Sequence, residues 1–486
     1  MLAPAGHAFS FEDLQGRARE LAARQFEPDS SKIPNSLLEL NYDQYRRIQF
    51  NHQRAWWRAE GLPFQIEFFL PGGYHRQIVK INEIVSGHAR AIPFEPSLFE
   101  IGTNQLPPPS SAGGYAGFRL EYSPANFGEV AAFLDASYFR MIGRGQSYGA
   151  SARGLAIDTS SGGLEEFPVF KEFWVQRPAK SDTEITVYAL LDSPSVSGAY
   201  QFVIRPGSIT SVAIHATLFP RHEIKQLGIA PLTSMFLYGE NDKPPFGDYR
   251  PEVHDSDGLL IHNGRGEWIW RPFVAFKFPH GNSFLDENPQ GFGLMQRQRS
   301  FTAYEDPEAR YEDRPSLWVQ PHGGWTKGAV ELLQLPSTKE ITDNLVAFWT
   351  PTATPKPNEG LDLAYEILWT TTDPEPEALG HVIATRIGRI GHTSHWHLIV
   401  DFAGKLLEAA PGQTNFVPDV SLGAGVQGVA TNLFKIEETK AWRLAMEIVE
   451  PTHPAELRAL LKSGDRPLTE TWSFTWHPDE FNDRAQ

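Results

Sequence analysis

Between Tyr249 and Asn344 the chain concentrates carboxylates, tryptophans, arginines and turn glycines. The stretch opens YRPEVHDSDGLLIHNGRGEWIWRP, continues through NPQGFGLMQR and RPSLWVQPHGGWTKGAVELLQLP, and closes with KEITDN. Asp255 and Asp257 stand in the first run, Glu340 and Asp343 in the last. Acid–base cleavage of a sugar needs two carboxyl groups in different environments and aromatic surfaces that hold the ring. This stretch has the residue types for both. Loop aspartates that merely cap turns are the commoner fate of this residue type.

Other residues in the stretch carry two readings each. Trp268 and Trp270 alternate with Ile269, so a strand turns both rings to one side, to stack on a sugar or to fill a core. His254 and Arg271 either orient a carboxylate or hydrogen-bond within the core. Outside the stretch, GHTSHWHL places His392, His395 and His397 close together. Such spacing occurs in metal sites, but HExxH is absent and acids are few, so a polar role is expected and no metal. On a strand, His395 and His397 share one face and Trp396 the other. GRGQSYG at 143–149 is spaced GxGxxxG, with no Walker lysine, which argues against a phosphate loop. Its glycines suit a strand edge or a close approach to a ligand.

The elements that must position these residues read as mostly β. One helix is predicted over 9–26, with Ser10 as cap, Asp13 three residues on, and Leu14, Ala18, Leu21 and Ala22 on one face. A second short helical stretch is expected over 41–57. From Phe64 onward, FQIEFFL, QIVKINEI, FRLEY, EFWVQRP, EITVYALLD, AYQFVIRP and TSVAIHATLF alternate or nearly so, which indicates a sandwich or barrel. LPPPSSAGGYAG at 106–117 reads as loop. TPTATPKPNEG at 350–360 reads as a proline-rich linker. Beyond Leu361 a further β domain of immunoglobulin-like size is expected, interrupted by a short helix over 454–464. The reading is therefore all-β: a large N-terminal β-sandwich over 1–349, a linker over 350–360, and a smaller C-terminal immunoglobulin-like sandwich over 361–486.

Composition narrows the function classes. The chain has 486 residues, enough for two or three domains. Its net charge of −16 argues against nucleic acid as a partner, because phosphates demand a basic face. Aromatics are 12% of the chain, which fits a large β core and leaves rings for a carbohydrate groove. The absence of cysteine excludes disulfides and thiol chemistry. No apolar run is long enough to span a membrane. The start, MLAPAGHAFSFEDL, lacks a basic segment followed by an apolar core and reads as carrying no signal peptide.

The runs already quoted, with QFNHQRAWW, ASYFRMIGRGQSYGASARGLAIDT, EEFPVFKEFWV, YALLDSPSVSGAYQF, APLTSMFLYGEN and TDNLVAFWTP, resemble the bacterial periplasmic glucan biosynthesis proteins G and D from about Phe9 to Trp472. The resemblance implies export to the periplasm and a large galactose-mutarotase-like β-sandwich joined to an immunoglobulin-like domain. It implies action on β-1,2-glucan in osmoregulated periplasmic glucan biosynthesis, as an inverting endo-glucanase or an anomer-inverting, cyclising transglycosylase. It maps the general acid to Asp343 and the general base to Asp255, with Asp257 and Glu340 as alternative bases. Tyr311, Arg314 and Glu340 match cleft positions, with Trp268, Trp270 and Arg271 as further sugar-binding candidates. No cofactor is implied. The implied partners are β-1,2-glucan and the membrane glucan synthase, with a homodimer as a candidate assembly. The segment after ATRIGR is short beside the loop that hydrolytic members fold over the cleft, which favours a sugar hydroxyl over water as acceptor. The alternative reading is a non-catalytic protein that binds glucan or docks on the synthase.

Overall fold

The computed structural model describes residues 8–28, 33–101, 109–242, 244–245, 247–374, 376, 378–412 and 414–481. The extreme N-terminus and the start of the 106–117 loop, both read above from sequence, lie outside the described residues. Strands make up 47% of the chain and helices 11%, so the protein is all-β. It divides into two compact units: residues 1–232, 319–329 and 348–370, and residues 233–318, 330–347 and 371–486.

The first unit is a sandwich. One sheet runs from Val169–Gln176 through Ile185–Asp192, Val196–Arg205 and Thr210–Pro220 to Leu361–Thr370, each antiparallel to the next. The other runs through Phe64–Phe69, Gly117–Tyr122, Gly128–Leu134, Tyr138–Met141 and Ser151–Arg153. Alternation along each strand sends rings inward from both sheets. Phe118 and Phe133 thus meet Phe173 at 5.1 and 5.6 Å, and Phe133 meets Phe202 at 5.3 Å. The helix forms over Phe11–Ala22 with the expected Ser10–Asp13 capping box. Its buried face, Leu14, Ala18 and Ala22, packs on Trp174, Leu190, Ala199 and Phe219. The second helical stretch shrinks to single turns at Tyr42–Tyr45 and His52–Arg54. In the glycine run, a side chain on Gly143 would come within 2.3 Å of the Ser208 carbonyl, so close backbone approach explains that glycine.

The expected boundary at 350–360 is corrected here. Leu361–Thr370 pairs along its whole length with Thr210–Pro220, so it completes the first unit instead of opening a C-terminal domain. The proline-rich segment is a connection inside that unit. Proline punctuates strand ends as readily as domain ends.

In the second unit, Val417–Leu422, Ala455–Ser463, Thr471–Trp476, Trp268–Pro272, Gly258–His262 and Gly291–Met295 form one sheet in that order. His381–Arg389, His395–Ala403, Trp442–Val449 and Gly428–Lys435 form another. Trp396 packs edge-on to Trp476 at 5.0 Å, and the Trp472 indole donates to Thr385 Oγ1 at 3.0 Å, closing the C-terminal sandwich. The helix expected over 454–464 is instead the strand Ala455–Ser463. Ala455, Leu457, Ala459 and Leu461 are buried while Glu456, Arg458 and Lys462 are not. That period of two, with a partner strand on each side, outweighs the helix propensity of Ala and Leu.

Candidate active site

The site is organised by one extended segment, Thr233–Phe236. The Ser234 carbonyl accepts from the Asn344 amide at 3.0 Å, and the Met235 carbonyl accepts from the Asp255 amide at 2.8 Å. Asn344 is buried, and its side chain locks the segment by accepting from Phe236 N at 2.8 Å and donating to Phe236 O at 2.9 Å and Leu335 O at 2.8 Å. Ser234 Oγ donates to Ser256 Oγ at 2.8 Å. The chain carrying Asp343–Asn344 and the chain carrying Asp255–Ser256 are thus both tied to the same four residues. Beneath them lies a small apolar cluster of Met235, Tyr238, Val253, Ala303, Tyr304 and Tyr311.

The two mapped acids differ in surroundings. Asp343 is half-buried and accepts from Thr233 Oγ1 at 3.2 Å. Asp255 is 5% exposed and ion-paired with Arg314. Arg314 in turn donates to the Ala309 carbonyl at 3.2 and 3.0 Å and lies 4.1 Å above the Tyr311 ring. Burial alone would weaken the hold of Arg314 on its proton, but the Asp255 charge outweighs it and the guanidinium pKa rises. Tyr311 has no exposed surface, so it offers no face for stacking on a sugar. Its hydroxyl donates to Glu340, and burial, helped by that carboxylate, pushes its pKa up.

Glu340 sits in a turn and joins a larger network. Arg250 grips it with both terminal nitrogens, at 3.1 and 3.0 Å. The same guanidinium donates to Asp248 at 3.0 and 2.8 Å and to Asp306 at 3.0 Å. Arg250, Asp306, Asn344 and Thr233 were not singled out as site residues by the sequence reading. Arg250 stands in the quoted run YRPE, but nothing in the local pattern says which carboxylates it meets. Thr233 looks like any strand threonine.

Behind Asp255, alternation turns His254 the other way. His254 is fully buried, with Nδ1 facing Gln296 Oε1 at 2.8 Å and Nε2 facing Glu252 Oε2 at 2.9 Å. The Gln296 amide nitrogen donates to the His254 carbonyl at 2.8 Å, which fixes its oxygen as the acceptor. Burial works against the imidazolium, but Glu252 and Asp257 outweigh it and raise the pKa. Asp257, the alternative base, receives the Arg297 amide at 3.0 Å and the Gln298 amide at 2.8 Å, and burial raises its pKa. His254, Asp257 and Trp270 line a cavity of about 610 Å³.

The three other sugar-binding candidates have partners outside the Asp255–Glu340 network. Trp268 is sandwiched with His262 at 4.0 Å and Trp318 at 5.6 Å. Trp270 is buried with the Arg297 guanidinium 3.8 Å from its ring, and Arg271 is buried on Glu456 and Thr475. Trp270 is covered, whereas Trp268 is only half-buried. His395 binds Glu447 at 2.7 Å, on the face opposite buried Trp396. Among the described residues no group of three or more His, Asp or Glu is arranged to hold a metal ion.

Comparison with known proteins gives the family. The family described as periplasmic glucan biosynthesis protein, MdoG, matches residues 9–476. The glucans biosynthesis protein G of Ralstonia nicotianae is 45% identical, over 98% of this chain and 97% of that protein. Those of Rhodopseudomonas palustris strain BisA53 and Serratia proteamaculans are each 42% identical, over 96% of this chain and 93% of theirs.

Proposed function

The chain belongs to the periplasmic glucan biosynthesis protein family, MdoG, and from that premise we propose that it cleaves β-1,2-glucan with inversion, Asp343 serving as general acid and Asp255 as general base. Membership carries a role in periplasmic glucan biosynthesis and a place in the periplasm. The observation that supports the reaction is the shared segment Thr233–Phe236. Successive carbonyls of an extended chain point to opposite edges, so the acid-bearing chains flank it. On opposite edges of one segment, the two chains leave room between them for an acceptor, and inversion requires carboxyl groups about 6.5–9.5 Å apart.

In this reaction Asp343 gives its proton to the glycosidic oxygen as the C1–O bond breaks. The acceptor oxygen bonds to C1 from the other face and loses its proton toward Asp255. Water as acceptor gives hydrolysis, and a glucan hydroxyl gives transfer. His381–Arg389 and His395–Ala403 are joined by five residues only, which favours transfer because no long loop is there to position water. The test is incubation with linear β-1,2-glucan beside Asp343→Asn, read by reducing-end assay and mass spectrometry. Hydrolysis adds reducing ends, and ring closure gives products lighter by one water without new reducing ends. An Asp343→Asn protein as active as the wild type would sink the assignment, and an inert wild type that still binds glucan would favour a binding role.

A further inference from the structure

We propose that Arg250 is a positioning residue, which holds the Glu340 carboxylate against the Tyr311 hydroxyl and so fixes how hydrogen bonds run toward the Arg314–Asp255 pair. The inference rests on the reaction proposed above. Glu340 needs such a hold. Its turn has no regular structure, and its side chain is 35% exposed, against 14% for Arg250. A free glutamate there would sample several rotamers and face solvent. The bidentate fork leaves it one orientation.

Arg250 is itself fixed before it meets Glu340. Asp248 takes its Nε and one terminal nitrogen, and Asp306 takes the other. Asp306 also accepts the Glu308 amide at 3.1 Å and the Ala309 amide at 2.8 Å, which shapes the turn leading to Tyr311. Arg250 therefore ties together the three segments that carry Asp248, Tyr311 and Glu340. Three carboxylates converge on one guanidinium, and without it they would repel one another.

The consequence runs along the chain of contacts. Glu340, held by Arg250, accepts the hydrogen bond of the Tyr311 hydroxyl. The Tyr311 oxygen then has its hydrogen committed and can only accept from other groups. Its ring carries Arg314, and Arg314 carries Asp255. The orientation of the base side of the site thus depends on a residue that is not required to touch substrate.

The test uses Arg250→Gln, Arg250→Lys, Glu340→Gln and the double variant Arg250→Gln/Glu340→Gln, assayed on linear β-1,2-glucan. Arg250→Gln is expected to lower kcat about 100-fold with KM changed less than about threefold. Arg250→Lys should fall between, because a point charge lacks the fork. The double variant should be no worse than the worse single one. A lowered melting temperature with unchanged kcat, or additive losses in the double variant, would overturn the proposal. A crystal structure of Arg250→Gln tests it without turnover: Glu340 should leave the Tyr311 hydroxyl, and an intact pair overturns the proposal. A wild type inactive on glucan counts against the proposed reaction alone.

Discussion

The interior of the first unit and the interior around Asp255 in the second are built on opposite plans. In the first, Phe118, Phe133, Phe139, Phe170, Phe173 and Phe202 fill the space between two sheets with rings 5.1 to 5.9 Å apart. The ion cluster of Arg119 with Glu67 and Glu129 is on the other side of those strands, since Arg119 alternates with inward Phe118. In the second, Asp255, His254, Arg250, Glu340 and Asp306 are joined by directed bonds within or beside a small apolar cluster. Apolar burial is non-directional and stabilises in proportion to area. Buried ion pairs add little net stability, because desolvation cancels most of their attraction. Their density around Asp255 therefore speaks for positioning, and the ring layer of the first unit speaks for holding the scaffold.

The comparison breaks first at Asp343. Asp343→Asn keeps the shape and the Thr233 contact but removes the proton. Activity on β-1,2-glucan should fall about 10³-fold, near 4 kcal/mol of barrier, with the melting temperature almost unchanged. An equal loss of stability would mean Asp343 is scaffold. Phe202→Ala is the converse. It opens the ring layer and should cost about 3–5 kcal/mol in denaturant unfolding, while activity per folded molecule stays as in the wild type. Reduced kcat in the folded fraction would show the two interiors to be coupled. Asn344→Ala falls between the two plans, since it removes three side-chain hydrogen bonds around Thr233–Phe236. A stability loss of about 1–3 kcal/mol should accompany a clear drop in kcat, because both acids lean on that segment. Calorimetry and steady-state assays on one preparation measure both.

The same contrast explains what was legible in the sequence. The ring layer follows from period-two alternation, so most first-unit strands and the capped helix at Phe11–Ala22 could be read locally. Ala455–Ser463 could have been read the same way, but its Ala and Leu carry helix propensity and its partners are far away in sequence. The proline-rich segment failed for a related reason: the pairing of Leu361–Thr370 with Thr210–Pro220 is non-local. At the site, the residue types could be read, and the resemblance supplied the roles of Asp343 and Asp255. Arg250 was invisible as a hub because its carboxylates come from three segments. Trp268 and Trp270 carried both readings, because pattern does not set burial: Trp270 is buried and Trp268 half-buried.

His254 gives the smallest and finest test, because it is polar yet as buried as any ring of the first unit. Both nitrogens face acceptors, and its pKa in the folded chain lies above the ordinary 6.5, with burial opposed and outweighed by Glu252 and Asp257. A histidine whose folded pKa is raised contributes stability that is complete below about 6.5 and fades as pH rises through the folded value. Urea midpoints of the wild type should therefore decline above pH 6.5 more steeply than those of His254→Gln, which has no proton to lose. Below pH 6.5 the two curves should run parallel, with the variant lower throughout because Glu252 has lost a charged partner. Parallel curves across the whole range would mean that the His254–Glu252 pair binds no more protons in the fold than in the unfolded chain, so that its pKa is not raised. The polar interior behind Asp255 would then resemble the first unit more closely: packed and hydrogen-bonded, without a buried charge to respond to pH.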